Sequence, residues 1–431
     1  MGTAHTALVD ERKRADSMSV NTLFISYDGM TDPLGQSQVI PYLSGLSKSG
    51  ISVTLLSFEK EERYLQNKDK IAALLTANGI AWEPLSYTKK PPVLSTVWDV
   101  IRMHRRAVKL HKEKNFAVIH CRSYISALAG LYMKQTYATK YIFDMRGFWA
   151  DERVDGGLWR LSNPLYKIIY DFFKRKEIEF LQAADYTISL TQNAKNEIMS
   201  WPQFAGRPIP IQVIPCCADL QKFSATSVDQ TLRAQLMQQF GYSEQDTVLS
   251  YLGSLGTWYM LDEMLDLFKV LLTRHSNIKF LFITADEPEM VYSRARQKGI
   301  DESRIKVVAS PYDRVATYLS LSKLSVFFIK PAYSKKASSP TKQGELMAMG
   351  IPMICNRCIG DVDSILDDTG AGYSIDSFTE AEYEKVSENL QRILDTDKEK
   401  IKAGAYKYYS LIEGVKKYRS VYEALLPNLS R

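Results

Sequence analysis

Short apolar runs alternate along this chain with longer stretches whose apolar residues recur every three or four positions, and the alternation restarts past the middle. In the first half, Thr22 to Tyr27, Ser52 to Phe58, Ile80 to Leu85, Ala117 to Cys121, Tyr141 to Asp144 and Tyr186 to Leu190 are predicted strands. A helix is predicted up to Ser49, after the loop Asp28 to Gln38, and another over Tyr166 to Ala184, after the turn signal Asn163-Pro164. In the second half, Val248 to Gly253, Phe280 to Thr284, Ile305 to Val308, Leu324 to Ile329 and Ile351 to Cys355 read as strands. Leu261 to Leu272 reads as a helix, and Leu346, Met347 and Met349 place a short one ending at Gly350. Glu382 to Leu426 reads as mostly helical, with Tyr406, Tyr408, Tyr409, Tyr418 and Tyr422 as its apolar side. Strand–helix alternation of this kind predicts an α/β fold, a parallel sheet with helices on both faces, built twice. The polar stretch Asp229 to Glu244, broken at Gly241, is the expected linker. It divides a first domain, 21–228, from a second that starts at 245, and residues 1–20 read as a disordered extension.

A length of 431 residues suits two domains of about 200 residues each. An apolar content of 45% and a charged content of 24% are those of a globular soluble protein. No run is apolar enough for a transmembrane helix, and the first twenty residues lack the apolar core of a signal peptide. Five unevenly spaced cysteines argue against a disulfide framework and fit a reducing compartment. Cys355 and Cys358 form a single CxxC, without a second pair or neighbouring histidines to make a zinc site. Net charge is +6, yet eight Lys or Arg stand against Asp99 and Glu113 between Ser86 and Asn115, so one segment carries the whole excess. Val97, Trp98, Val100, Ile101 and Met103 interleave there with Arg102, Arg105, Arg106 and Lys109. Two readings follow for 97–114: a helix lying on an anionic membrane surface, or a helix with its apolar face on the sheet and a solvated basic face. No nucleic-acid recognition module accompanies these charges.

Ligands of such sheets collect beyond the carboxyl ends of strands. Those ends carry Asp28, His120, Arg122, Asp144, Arg146, Asp151 and Glu152, with Gly35 and Gln36 opening the helix after the first strand. His120 is either a core histidine or a cleft residue, and nothing in the histidine spacing makes a metal site. In the second half Ser338, Ser339 and Thr341 precede a helix N-terminus, where free N–H groups and the dipole favour an anion. Lys342 adds a mobile positive charge, and Glu345 can accept hydrogen bonds from the diol of a ribose. Gly253 and Ser254 begin a backbone-rich turn suited to phosphate oxygens, with Lys330, Lys335 and Lys336 as further cations. A diphosphate beside a ribose is a nucleotide. The competing reading of this stretch is a surface helix capped by Thr341. Asp361 and Asp363 form a DxD, read as a cap and a first-turn acid rather than a metal ligand pair.

Glu345 followed by MAMGIPMI resembles the donor-binding region of GT-B glycosyltransferases, in particular the large retaining family four. Phe143 to Gly157 resembles the RDxWP-like segment of that family, and Val213 to Phe223 its VIPNGVDxxxF segment. The pattern departs at two places. Ala337 stands where the family has a first glutamate, and Trp258 and Tyr259 stand where an Arg and a Lys are usual. The resemblance implies GT-B architecture: two facing Rossmann-like domains with parallel sheets, and a C-terminal helix, 406–431, crossing back to the N-terminal domain. It implies an acceptor on the first domain and a nucleotide-sugar donor on the second, 245–405. The implied reaction is a retaining transfer, without a metal or other cofactor, to a glycan or lipid-linked acceptor hydroxyl. Bacterial surface polysaccharide or glycoconjugate synthesis, in the cytoplasm or at the inner face of the plasma membrane, is the implied setting. An epimerase or phosphorylase on the same fold, and a non-catalytic partner that keeps the fold, are the alternatives.

Overall fold

The computed structural model describes residues 20–427, so the extension expected at 1–20 lies, but for Val20, outside the described residues. The chain forms two compact units, one running to Ile214 and resuming at Leu411, the other Pro215–Ser410.

In the first unit seven strands form one parallel sheet: β1 (Val20–Ser26), β2 (Ile51–Glu59), β3 (Ala81–Ser86), β4 (Val118–Arg122), β5 (Lys140–Asp144), β6 (Tyr186–Ser189) and β7 (Ile211–Val213). Their order is β3-β2-β1-β4-β5-β6-β7. The direction of winding therefore reverses between β1 and β4, and the carboxyl ends of those two strands open a crevice. Strand β1 enters through Leu23, Phe24 and Ile25, all buried, because helices cover both faces of the sheet. Two short helices, α1 (Pro33–Gln38) and α2 (Ile40–Lys48), replace the single helix expected before Ser49. On the other face lie α3 (Leu94–Lys114), α4 (Ser123–Tyr137), α5 (Trp149–Asp155) and α6 (Pro164–Ala183).

The second unit repeats the plan with six parallel strands: β8 (Thr247–Leu252), β9 (Ile278–Ile283), β10 (Ile305–Val308), β11 (Leu324–Phe327), β12 (Met353–Asn356) and β13 (Gly372–Ile375). The order β10-β9-β8-β11-β12-β13 puts its reversal between β8 and β11. The stretch expected as a linker is largely a helix, Gln230–Phe240, which Asp229 caps through Leu232 N at 3.0 Å. Leu236 and Phe240 bury into the second core together with Leu220 and Phe223. Residues 215–244 thus belong to the second unit, because they supply apolar side chains to its core. Two further helices matter below: α7 (Thr341–Ala348) and, after Lys398–Tyr409, the last one, α8 (Leu411–Leu425). Helix α8 returns to the first unit and packs on α2, where a Cβ at Gly45 would lie 2.5 Å from Val415 Cγ2.

Candidate functional site

At the first reversal, the β1–α1 connection is drawn in tightly. A Cβ at Gly35 would fall 2.2 Å from Gly29 O, so only glycine fits where α1 starts. Gln36 ties the same loop through Nε2 to Thr31 O at 3.2 Å. Glu59, at the end of β2, anchors it from below. This buried carboxylate accepts from Met30 N (2.8 Å), Thr31 N (3.0 Å) and the Thr31 hydroxyl (2.6 Å). Nothing in the sequence singled out Glu59; an acid closing the apolar run of β2 was its one signal.

Arg122 ends β4 beside this loop, buried, with Nε 3.4 Å from Asp28 Oδ2. Asp144 ends β5 in the neighbouring register, Arg122 against Asp144. Its carboxylate is 1% exposed and accepts the Tyr418 hydroxyl at 2.8 Å. His120 Nε2 lies 3.8 Å from Asp144 Oδ2, and Arg146 Nη1 lies 4.0 Å from Oδ1. Burial would raise the Asp144 carboxyl, but Arg146, His120 and Arg122 overcome it and hold the group below the usual carboxylate range. Burial drives His120 the other way from its ordinary value, downward against the pull of Asp144, so the imidazole is neutral. Its Nδ1 shares a 2.9 Å hydrogen bond with the Tyr422 hydroxyl. Arg146 is held at φ +57° and Gly147 at φ +121°, a left-handed turn that aims the guanidinium back toward the strand end. Asp28, His120, Arg122, Asp144 and Arg146 are thus brought together. The hydroxyls completing the group come from α8, whose Tyr418 and Tyr422 the sequence offered only as apolar surface.

Asp151 is employed differently. Its carboxylate accepts Tyr170 Oη and Lys174 Nζ, each at 2.8 Å, which fastens α5 to α6. Lys174 also pairs with buried Glu177, which accepts the Tyr124 hydroxyl. Asp151 is therefore a member of a buried packing network, since its two oxygens face helix α6. Glu152 follows it on α5, half-buried.

At the second reversal the expectation of a mobile Lys342 is corrected. Lys342 is buried, its ammonium 3.5 Å from the Tyr259 ring centre and 4.4 Å from that of Tyr251, with Tyr251 Oη accepting at 3.2 Å. The electron-rich ring faces hold a cation that water would otherwise claim. Gly253 makes room for it: φ is +108° there, and a Cβ would stand 3.2 Å from Lys342 Nζ. Burial pushes Lys342 down to about 7, against the attraction of Glu345. Burial pushes Glu345 up to about 7, against Lys342. Lys335 repeats the arrangement, buried, with its ammonium 3.5 Å from the Trp258 ring centre. The two aromatic residues found where the resemblance expects cations therefore each receive a lysine from across the crevice of this unit. Lys330 follows β11, its side chain exposed and its amide bonded to Trp258 O at 2.9 Å.

The turn at Gly253 and Ser254 differs from a simple phosphate cradle. Gly253 N donates to Ile283 O at 2.9 Å, Leu255 N to Asp286 Oδ2 at 2.5 Å, and Gly256 N to Ser254 Oγ at 3.4 Å. The Ser254 hydroxyl donates to Asp286 as well, at 3.3 Å. Ser339 Oγ accepts Cys216 N at 3.1 Å, while Ser338 and Thr341 are half-buried. Thr341 is the first helical residue rather than the cap. Pro340 holds the cap position of α7 without a side-chain bond, so no side chain caps the amides that open this helix. Asp361 likewise occupies a cap position without capping, and Asp363 sits 3.6 Å from Arg357. Among the described residues no group of three or more His, Cys, Asp or Glu is arranged to hold a metal ion.

Residues 38–222 match the family described as Glycosyltransferase Family 4, a stretch under half of the chain. No match was found among curated protein sequences. A glycosyltransferase from Rickettsia africae superimposes with a TM-score of 0.68 at 13% identity, covering 95% of this chain and 99% of that one. Sucrose-phosphate synthase from Thermosynechococcus elongatus gives 0.68 at 13% identity, with 95% and 99% covered. The Anabaena protein HepE, in complex with UDP and glucose, gives 0.62 at 13% identity, with 94% and 99% covered. These likenesses show the fold, two parallel-sheet units of GT-B type.

Proposed function

We propose that the chain transfers a glycosyl group from a nucleoside-diphosphate sugar to an acceptor hydroxyl, with retention and without a metal. The observation that carries this reading is the buried, aromatic-held Lys342 beside Glu345 at the crevice where β8 and β11 part. A buried cation whose one neighbouring carboxylate, Glu345, is itself pushed toward neutrality by burial is suited to a ligand that brings two phosphate charges. The open N-terminus of α7 adds N–H groups for the same anion. Glu345 receives the ribose hydroxyls, and Lys330 and Lys335 meet the remaining charge.

Transfer breaks the bond between the anomeric carbon and the diphosphate oxygen and forms one to the acceptor oxygen. In a same-face transfer the acceptor proton passes to the departing diphosphate. Charge grows on that leaving group, and this is where Lys342 acts. The first unit orients the acceptor: Arg122 and Arg146 present fixed cations, while neutral His120 and ionised Asp144 order them. A glycan or lipid-linked alcohol of a surface polysaccharide pathway is the acceptor class in this reading, and the HepE complex with UDP is in keeping with a uridine donor.

Incubation of the pure protein with a panel of UDP- and GDP-sugars, with and without EDTA and acceptor alcohols, tests this. Nucleotide release that depends on acceptor and survives chelation, with the product anomer following the donor's in an NMR spectrum, is the expected result. Release without acceptor, or interconversion of the donor sugar, would instead mark hydrolysis or epimerisation. If calorimetry shows no binding of either diphosphate, the fold serves a non-catalytic partner.

A further inference from the structure

The outer surface of α3 carries a pattern for which sugar transfer has no use. Ser95, Asp99, Met103, Ala107 and Leu110 turn inward and are buried. The Asp99 carboxylate fixes that rotation by accepting Thr88 N at 2.9 Å and the Tyr27 hydroxyl at 3.1 Å. Consequently Leu94, Val97, Trp98 and Ile101 face outward, 67%, 51%, 50% and 39% exposed. Of the apolar residues at 97–114 that one reading laid on the sheet, Met103 is buried, whereas Val97, Trp98 and Ile101 turn outward. Helix α3 packs on α4 and α4 on α6, and α6 adds Leu165 and Ile168 to the outer surface of this layer, 51% and 65% exposed. Helices connecting parallel strands run against them, so the first turns of α3 and α6 lie at the strands' carboxyl end. That is the end occupied by Arg122 and Asp144.

Cations complete the pattern. Lys89 and Lys90 precede α3, and Arg105, Lys109 and Lys112 continue the outward stripe beyond Ile101, all five exposed. Among the described residues no carboxylate pairs with Lys89, Lys90, Arg105 or Lys112, and Lys109 reaches Glu113 only at 4.0 Å. An exposed tryptophan among aliphatics, bordered by unpaired cations, matches the layered chemistry of a bilayer surface with acidic headgroups. No helix among the described residues is long and apolar enough to cross a membrane.

We propose that this face docks on an anionic lipid bilayer, its apolar residues entering below the headgroups and the α3 cations lying on the lipid phosphates. The proposal stands apart from the donor reading, since it requires no sugar chemistry. Co-sedimentation of the full chain with vesicles of phosphatidylcholine, alone or with about a third phosphatidylglycerol, tests it. Partitioning at least about tenfold stronger on the acidic vesicles, and weakening with salt, is expected. Val97→Asp with Trp98→Asp should abolish binding. Arg105→Glu with Lys109→Glu and Lys112→Glu should remove the preference for acidic lipid. All five positions are exposed or half-exposed on one surface, so both variants should keep the wild-type melting temperature, which verifies folding. Failure of the wild type to sediment, or undiminished binding by both variants, overturns the proposal. So does a discrete dimer in sedimentation velocity that V97D/W98D dissociates while vesicles leave it intact.

Discussion

Two buried ionisable clusters behave oppositely toward protons. His120 is neutral inside the first unit, whereas in the unfolded chain it takes up a proton below about pH 6.5. Acid therefore favours the unfolded chain: stability from this residue is complete above that pH and declines as the pH drops. Asp144, held below the usual carboxylate range, adds a further loss at lower pH. Urea unfolding between about pH 5 and 7.5 should show this slope, and His120→Asn should flatten it. In the second unit Lys342 loses its proton as pH rises through about 7, so UDP affinity should fall over that interval. Glu345→Gln removes the charge that supports the ammonium and should move the fall to lower pH. Lys342→Met should weaken UDP binding by about tenfold or more while leaving the melting temperature equal or higher, since a buried cation is relieved. Calorimetry and thermal melts together separate these effects. Lys342 was recognisable in the sequence as a cation at a helix start. Its burial was not, because Tyr251 and Tyr259 arrive from a distant strand and turn.

Elements were legible where burial is uniform. Strand β8 is buried at all six residues, and Val248, Leu249, Tyr251 and Leu252, interrupted only by a small serine, already read as a strand covered on both faces. Strands β7 and β13 escaped because β7 has three residues and β13 opens on Gly372; neither makes a run. Helix α3 was legible as a helix but its rotation was not: apolar residues at 97, 98, 100, 101 and 103 wrap around both faces, and the buried face includes Asp99, a residue that composition alone would place outside. The helix Gln230–Phe240 reads as a linker because its exposed positions are polar apart from Ala234 and it buries only Leu236 and Phe240. Packing between α7 and Lys398–Tyr409 rests on Gly344, where a Cβ would stand 2.7 Å from Tyr409 Cβ. Gly344→Val should force the two helices apart and cost about 1–3 kcal/mol in urea unfolding. UDP affinity should fall with it, because Lys342 and Glu345 ride on α7.

At the scale of the molecule, the repeated sheet plan was readable from the rhythm of the chain, but the division was not. Ile214 and Pro215 mark it inside what reads as one continuous segment, since apolar residues alone do not say which core they enter. The second unit is one uninterrupted segment, whereas the first needs α8. A chain ending at Ser410 should keep a cooperative calorimetric transition for the second unit and show the first lowered or lost. Nucleotide binding should survive and transfer should not. Tyr418, which steadies Asp144, follows the whole of the second unit along the chain and so leaves a ribosome after it. A nascent copy would therefore fold around its Lys342 crevice before its Asp144 cluster is complete, and a protease nicking α8 could disable a finished copy at Asp144 while leaving the second unit whole.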